Sequence, residues 1–293
     1  MMNFSTLKGL TIPEGNVTQI TDASGRVLWA VSGGGTVILE VEKVKANTYA
    51  NETTYTGEQF ILLDIYPKTN GTVNVTYGGL TKTITDTSGA VSPNAIQVVF
   101  GTFNGVSDEV ETPASGTLTI EGSFRQFGVG SYKINGESKN NSSYCGCVTA
   151  ITDWGGVTDI PANAFRNCIY LYGRSPFVFP EGMLTIGMSA FYYEIKSSGG
   201  SVLSNTIVLP STITSINSKA FCFGQDATGG TNFTYRARVW YVTILATTPP
   251  TTTNDVFGDE TYYPIITVPK GCGEAYKAAT GWSKYADKIV EAE

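Results

Sequence analysis

Ile160-Pro161-Ala162-Asn163-Ala164-Phe165, Ile186-Gly187-Met188-Ser189-Ala190-Phe191 and Ile216-Asn217-Ser218-Lys219-Ala220-Phe221 share one pattern, Ile-x-x-x-Ala-Phe. The copies start 26 residues apart (160 to 186) and then 30 (186 to 216). In the second and third copies an apolar-proline pair, Phe179-Pro180 or Leu209-Pro210, sets its proline six residues before the isoleucine. A two-part motif kept in register at this period predicts a solenoid, in which each unit buries its apolar face on the next. Ile160, Phe165, Ile186, Phe191, Ile216 and Phe221 are the expected core of that repeat. The alanine is small because its turn packs close to the next coil.

Working outward, a fourth, degenerate unit follows. Val239-Trp240-Tyr241-Val242-Thr243-Ile244-Leu245 reads as a strand, Thr248-Pro249-Pro250 breaks it, and Val256-Phe257 stands in place of Ala-Phe. Ile265-Ile266-Thr267-Val268-Pro269 is the expected last strand. Two short helices, over 274–279 and 282–290, are expected to cap the open end, as a solenoid requires. The intervals 192–204 and 224–232 are rich in Gly, Ser and Thr and read as loop insertions on one face.

Upstream, residues 36–124 carry short strand runs such as Phe60-Ile61-Leu62-Leu63-Asp64-Ile65-Tyr66 and the alternating Thr72-Val73-Asn74-Val75-Thr76-Tyr77. Gly, Pro, Asn and Ser turns separate them, which predicts an Ig-like β-sandwich. Residues 125–150 read as a transition, and the repeat domain is placed at 151–293. Residues 1–31 read as a hairpin around Asp22-Ala23-Ser24-Gly25, followed by the flexible Ser32-Gly33-Gly34-Gly35. Two strands alone are marginal in water, so this hairpin is expected to attach to something else. The fold class is therefore mainly β and two-part: an N-terminal Ig-like sandwich, then a repeat solenoid with a short helical cap.

Composition excludes several functions. Charged residues are 15% of the chain and the net charge is −6, with no basic block. Binding nucleic acid by neutralising phosphates is not expected. There is no His, which removes the commonest general base, the Ser-His-Asp triad and most zinc sites. The adjacent carboxylates Asp108-Glu109 and Asp259-Glu260 do not suggest a glycosidase acid and nucleophile, since in a strand they would face opposite ways, although such pairs can lie far apart in sequence. Neither enzymatic activity, a cofactor nor a metal is expected. No stretch of 18 apolar residues suggests a membrane span. The start, Met1 to Lys8, lacks the charged-then-apolar order of a signal peptide, so synthesis in the cytoplasm is expected.

The repeat residues resemble the BspA-like leucine-rich repeats, whose units read IP…L..I…AF..C..L..I.IP. Ile160-Pro161, Ala164-Phe165 and Cys168 match that pattern, as do Ile186, Ala190-Phe191, Leu209-Pro210, Ile216 and Ala220-Phe221. The closing Gly281-Trp282-Ser283-x-Tyr285-Ala286 is similar to that family's usual end. The chain departs from it in its long insertions and in the cysteine spacing after Phe221. Members of the family are mostly surface adhesion proteins, which the resemblance makes the expected role here. The opening Leu10-Thr11-Ile12-Pro13-Glu14-Gly15 through Val27-Leu28-Trp29 is similar to the starts of gut bacteriophage virion proteins.

Together these resemblances imply a non-enzymatic virion surface protein, associated with a tail or capsid. Residues 1–31 would join other virion proteins, and the repeats would adhere to a host or mucosal glycan or protein. A homo-oligomer or multicopy assembly is expected. The alternative is a secreted bacterial adhesin lacking its export signal in this sequence. Tyr and Trp join a flat apolar face to a polar tip and suit such contacts. From the aromatic residues of the C-terminal half, Tyr192, Tyr193 and Tyr235 are the candidate surface contacts.

The five cysteines are odd in number and sparse, and a protein made in the cytoplasm keeps its thiols reduced. Mass spectrometry with and without alkylation is expected to find five free thiols. A Cys145–Cys147 bridge or bound zinc overturns that reading.

Overall fold

The computed structural model describes residues 19–21, 27–30, 35–45, 58–103, 107–108, 111–132, 143–166, 168, 171, 176–195, 204–226, 233–237, 239–253, 255–258 and 263–293. It is mainly β. The N-terminal part holds β1 (Gln19–Thr21), β2 (Val27–Ala30), β3 (Val37–Glu42), β4 (Val44–Lys45), β5 (Gln59–Pro67), β6 (Thr72–Tyr77), β7 (Leu80–Thr85), β8 (Ile96–Gly101), β9 (Ser115–Gly122), β10 (Phe124–Val129), β11 (Ser131–Tyr132), β12 (Ser143–Tyr144) and β13 (Val148–Trp154). β1 and β2 pair antiparallel, with Ile20 opposite Trp29. The Asp22–Gly25 turn between them lies outside the described residues.

Two larger antiparallel sheets build most of the rest of this part, and β11 pairs with β12 in a small separate one. One of the larger two has the order β13-β3-β9-β6-β7, and in the other β5 is flanked by β10, β4 and β8. Alternation decides the first: in β6, Val73, Val75 and Tyr77 are buried while Thr72 and Asn74 are exposed. Gly78 and Gly79 turn β6 into β7 with φ of 58° and 80°, a left-handed pair that glycine adopts at no steric cost. Across the sheets, the Tyr77 and Phe100 rings meet edge-on at 5.6 Å. β5 differs, because Phe60, Ile61, Leu62 and Leu63 are all fully buried in sequence. A continuous apolar run marks a strand covered on both faces.

Within the stretch read as a transition lie strands of both larger N-terminal sheets. β10 pairs with β5 and β13 pairs with β3, so the N-terminal sheets run on to Trp154. β10 was hidden because Arg125 and Gln126 break its alternation, and β13 because its ladder with β3 is twice irregular.

From Asp159 the strands pair in parallel, with one exception. They are β14 (Asp159–Ile160), β15 (Phe177–Val178), β16 (Thr185–Ile186), β17 (Tyr193–Ile195), β18 (Ser204–Leu209), β19 (Ser215–Ile216), β20 (Cys222–Asp226), β21 (Phe233–Ala237), β22 (Val239–Ile244), β23 (Thr251–Thr252), β24 (Ile265–Val268) and β25 (Ile289–Glu291). One parallel ladder runs β14-β16-β19-β23, with Ile160, Ile186, Ile216 and Thr252 in register. A second runs β15-β18-β22-β24-β25. A third, smaller sheet joins β17, β20 and β21, and in it β21 runs antiparallel to β20.

The Ala-Phe turns connect these ladders. The Phe165, Phe191 and Phe221 N–H groups donate to the carbonyls of Ala190, Ala220 and Val256 at 2.7, 2.9 and 3.1 Å. Their rings stack in file: Phe165 on Phe191 at 5.3 Å, Phe191 on Phe221 at 5.4 Å, Phe221 on Phe257 at 6.1 Å. The residue before each alanine is left-handed, with φ of 61° at Asn163, 56° at Ser189 and 57° at Lys219. Ile160, Phe165, Ile186, Phe191, Ile216 and Phe221 are buried.

Both ends of the file are closed. At the start, Val129 N–H donates to Ala164 O at 2.5 Å, and Phe127 meets Phe165 edge-on. A Cβ on Gly128 would stand 2.8 Å from Ala164 Cα, so only glycine lets β10 approach so closely. At the far end, helix α1 (Gly273–Ala278) and a 3-10 helix (Ser283–Lys288) pack over the last coil. Trp282 Nε1 donates to Pro250 O at 2.7 Å, and Tyr276 OH donates to Ala246 O at 2.8 Å. The second helix expected over 282–290 is therefore shorter: Ile289–Glu291 is a strand, parallel to β24. The Thr267–Val290 and Val268–Glu291 pairs carry the ladder one strand past the expected end.

Phe191 sits mid-file, touching rings on both sides. Phe191→Ala is expected to cost about 3–5 kcal/mol, the usual figure for a buried phenylalanine. Urea unfolding is the measurement, and an unchanged midpoint overturns the central place given to the file.

Candidate functional site

A repeat architecture offers surfaces, so the question is which outward rows carry recognisable chemistry. Three regions bear on it: the position after each phenylalanine, the third sheet, and the outer face of the five-stranded parallel ladder.

Arg166, Tyr192 and Cys222 follow Phe165, Phe191 and Phe221 and occupy corresponding places in successive coils. Tyr192, expected on the surface, is buried. It lies in the turn rather than in an extended segment, and the Arg166 guanidinium sits 4.8 Å from its ring centroid. A cation over an aromatic face is attractive, so Tyr192 serves the packing between coils. Tyr193 and Tyr235 fall on strands β17 and β21. Their backbones pair with Phe223 and Gly224 of β20, while their side chains lie outside the described residues. β17 and β20 pair in parallel, so the segments after successive Ala-Phe turns stack on one side.

The outer face of the five-stranded ladder is the other surface. Val178, Val208, Thr243, Thr267 and Val290 stand in register across it. Two residues earlier, Thr206, Tyr241 and Ile265 form a second row. Their inward neighbours, such as Val242 and Ile266, are fully buried. Outward, Tyr241 is 51% exposed, Ile265 43% and Val290 46%. Trp240 is exposed too, but on the opposite pleat, next to the buried Val239. Tyr241 and Thr243 were legible from the sequence: with Val242 and Ile244 inward, period two sends both out.

Titratable groups serve structure. The Asp108 carboxylate holds Lys82 Nζ and the Gly101 N–H, which satisfies the outer edge of β8; its neighbour Glu109 and the pair Asp259-Glu260 lie outside the described residues. Burial pushes the Cys145 thiol well up, with Cys147 beside it adding to the shift. The Cys145, Cys147, Cys168 and Cys222 thiols are buried and in no disulfide. Among the described residues no group of three or more His, Cys, Asp or Glu is placed to hold a metal ion, and no helix is long and apolar enough to cross a membrane.

The family model of the BspA type leucine rich repeat region matches residues 102–198 and 138–228. The resemblance of the coils to BspA-like repeats therefore has independent support. The match starts ahead of β9 and so takes in antiparallel strands as well as coils. It stops before β21 and leaves out the last coils and the cap. It does not reach residues 1–31, whose likeness to virion proteins it leaves without support. None of the curated proteins matches the chain.

Glu291 ties the last strand to the cap. Its carboxylate accepts the Gly271 N–H at 2.9 Å and the Gly273 N–H at 2.7 Å. Those backbone bonds hold its pKa below the usual 4.5. A carboxylate depressed on folding stabilises the protein above its unfolded pKa, and that contribution is lost as pH falls through the folded value. Glu291→Ala is expected to lower the melting temperature at pH 7. The difference from wild type should close as pH drops below 4.5. A gap that persists in acid shows that the carboxylate's charge is not the cause.

Proposed function

We propose that the protein is a non-enzymatic adhesion protein whose repeat coils contact a host surface or mucosal glycan or protein. The observation that carries this reading is the pairing of a BspA type repeat match with a five-stranded parallel ladder that turns rows of uncharged side chains outward. Surface and adhesion roles are general for such repeats. On this reading residues 159–291 are a solenoid of stacked repeats with a helical cap. The two N-terminal sheets are an Ig-like sandwich that closes its first coil. The low charge and abundant hydroxyls suit a polysaccharide or a cell-surface protein and not nucleic acid.

The finer proposal is a place on a bacteriophage virion, with the hairpin of residues 1–31 joined to other virion proteins. It rests on the likeness of the opening sequence alone. A secreted bacterial adhesin is the alternative. Many copies on one particle would raise weak single contacts into firm attachment.

The test displays the full-length chain on multivalent beads against host cells, mucin and a glycan panel. Binding that rises steeply with valency is the expected result; beads that hold none of the three overturn adhesion. In parallel, a chain lacking residues 1–31 is expected to keep its melting temperature but to lose incorporation into particles or oligomers. Undiminished assembly by that truncation refutes the attachment role.

A further inference from the structure

A parallel sheet is ordinarily covered on both faces, because its crossover connections lie over them. Among the described residues the ladder β15-β18-β22-β24-β25 is covered on one face and largely open on the other, where only Val239 at the start of β22 is buried. Phe177, Ile207, Val242, Ile266 and Ile289 point inward and are buried, yet their outward neighbours include Val178, Tyr241, Ile265 and Val290, all exposed. An exposed row on such a strand is normally polar or charged. Here the chain carries 19 Lys and Arg and 25 Asp and Glu, and none of them stands in either outward row. The rows hold valine, isoleucine, tyrosine and threonine instead.

Size and charge decide what fits. Five strands about 4.8 Å apart and rows spanning a few residues at about 3.3 Å give a flat face on the order of 250 Å². A stable interface with a second protein needs roughly 800 Å² per partner, so this face alone does not hold a second copy of the chain. An exposed apolar patch of a few hundred Å² is still a mark of a binding surface. Without charge, the face gives an anionic polymer nothing to hold, and it complements a neutral one. A neutral sugar ring has an apolar face of C–H groups and a rim of hydroxyls. Tyr241 offers a ring to the first, and the in-register hydroxyls of Thr243 and Thr267 offer partners to the second.

We propose that the outward face of this five-stranded ladder is a binding site for a neutral polysaccharide, with a sugar ring stacked on Tyr241 and hydrogen-bonded at Thr243 and Thr267. This rests on the adhesion reading and names its ligand. Because one sugar of a repeating chain is like the next, any of them can take the place over Tyr241. A chain of repeating sugars can therefore lie across it in several equivalent positions, which gives weak but register-tolerant attachment.

The experiment uses the full-length protein coupled to beads, with galactomannan, dextran and desialylated mucin as neutral probes and heparin as the anionic comparison. Retention on at least one neutral probe is expected, and raised salt should not weaken it, since no ion pair is involved. Tyr241→Ala is expected to weaken that retention roughly tenfold or more with no loss of melting temperature. Thr267→Lys, which adds charge to the face without removing an inward side chain, is expected to do the same. Retention on heparin alone, on none of the neutral probes, or undiminished by both variants overturns the proposal. So does a solution dimer that Ile265→Lys dissociates, because a second copy would then cover the face. None of these outcomes touches the adhesion reading, which stands or falls on the binding of wild-type beads to host cells and mucin.

Discussion

The file of phenylalanine rings sets the terms for the C-terminal half. Parallel coils in register place like residues directly over one another, at the spacing that the backbone ladder imposes. Identical rings then meet nearly parallel: the interplanar angles are 20°, 5° and 21° from Phe165 to Phe257. Each offset pair adds about 0.5–1.5 kcal/mol beyond the area it buries. The stack also demands that the turn beside it be small, since Phe191 N–H must reach Ala220 O and Phe221 N–H must reach Val256 O. Alanine, and once valine, satisfies this. The stacking geometry ends where the coils end. Phe127 and Trp154 meet Phe165 edge-on at one terminus, and Tyr285 meets Phe257 edge-on at the other.

That geometry makes the N-terminal sheets part of the repeat's stability rather than a separate bead. Val129 N–H supplies the donor to Ala164 that a preceding coil would have supplied, and Tyr285 OH accepts from Phe257 N–H at 3.4 Å as a following coil would have. Buried residues form one continuous cluster from Val37 to Ile289. Repeat stability is a sum of unit and neighbour terms, so a file closed by an antiparallel sheet and by an aromatic cap leaves neither end to fray. The close contacts that permit this fall on glycine: Gly128 against Ala164, and Gly281 against the Thr252 carbonyl. The closing Gly281-Trp282-Ser283-x-Tyr285 thus has a physical reading. Gly281 allows the approach, Trp282 bonds a carbonyl of the last coil, and Tyr285 ends the ring file.

The sequence disclosed what depends on residue type and hid what depends on place. Ala-Phe and the apolar-proline pairs recur because packing needs those side chains, so they could be read directly. The left-handed residue before each alanine recurs as faithfully, but as Asn163, Ser189 and Lys219. A non-glycine residue with positive φ carries strain, and only the asparagine is a type that favours it, so no composition signal marked the position. Tyr192 was misplaced for a related reason. Its neighbour Tyr193 made an extended segment the natural reading, whereas Tyr192 still belongs to the turn and takes the column of Arg166 and Cys222. β13 was missed because Ile151-Thr152-Asp153-Trp154 alternates poorly where its ladder slips.

The coils keep one core and vary elsewhere. Between Phe165 and Phe191, and between Phe191 and Phe221, the isoleucine and the Ala-Phe turn are constant and the other inward positions stay apolar, as Phe177, Phe179 and Met183 or Ile207, Leu209 and Ile213, while the number of residues changes. The surplus falls between the Ala-Phe turn and the next strand of the five-stranded ladder: Phe177 and Ile207 are paired, and they follow Phe165 and Phe191 by 12 and 16 residues. Since the ring file and the Ala-Phe ladder fix where β17 and β20 start, Tyr193 falls opposite Phe223 whatever the length of chain that follows. Length can therefore change without disturbing register. The outward face of the five-stranded ladder has no such freedom: Val178, Val208, Thr243, Thr267 and Val290 are held to one row by strands whose other side is core. One surface of this protein is thus open to variation in size and the other to variation in side chain alone.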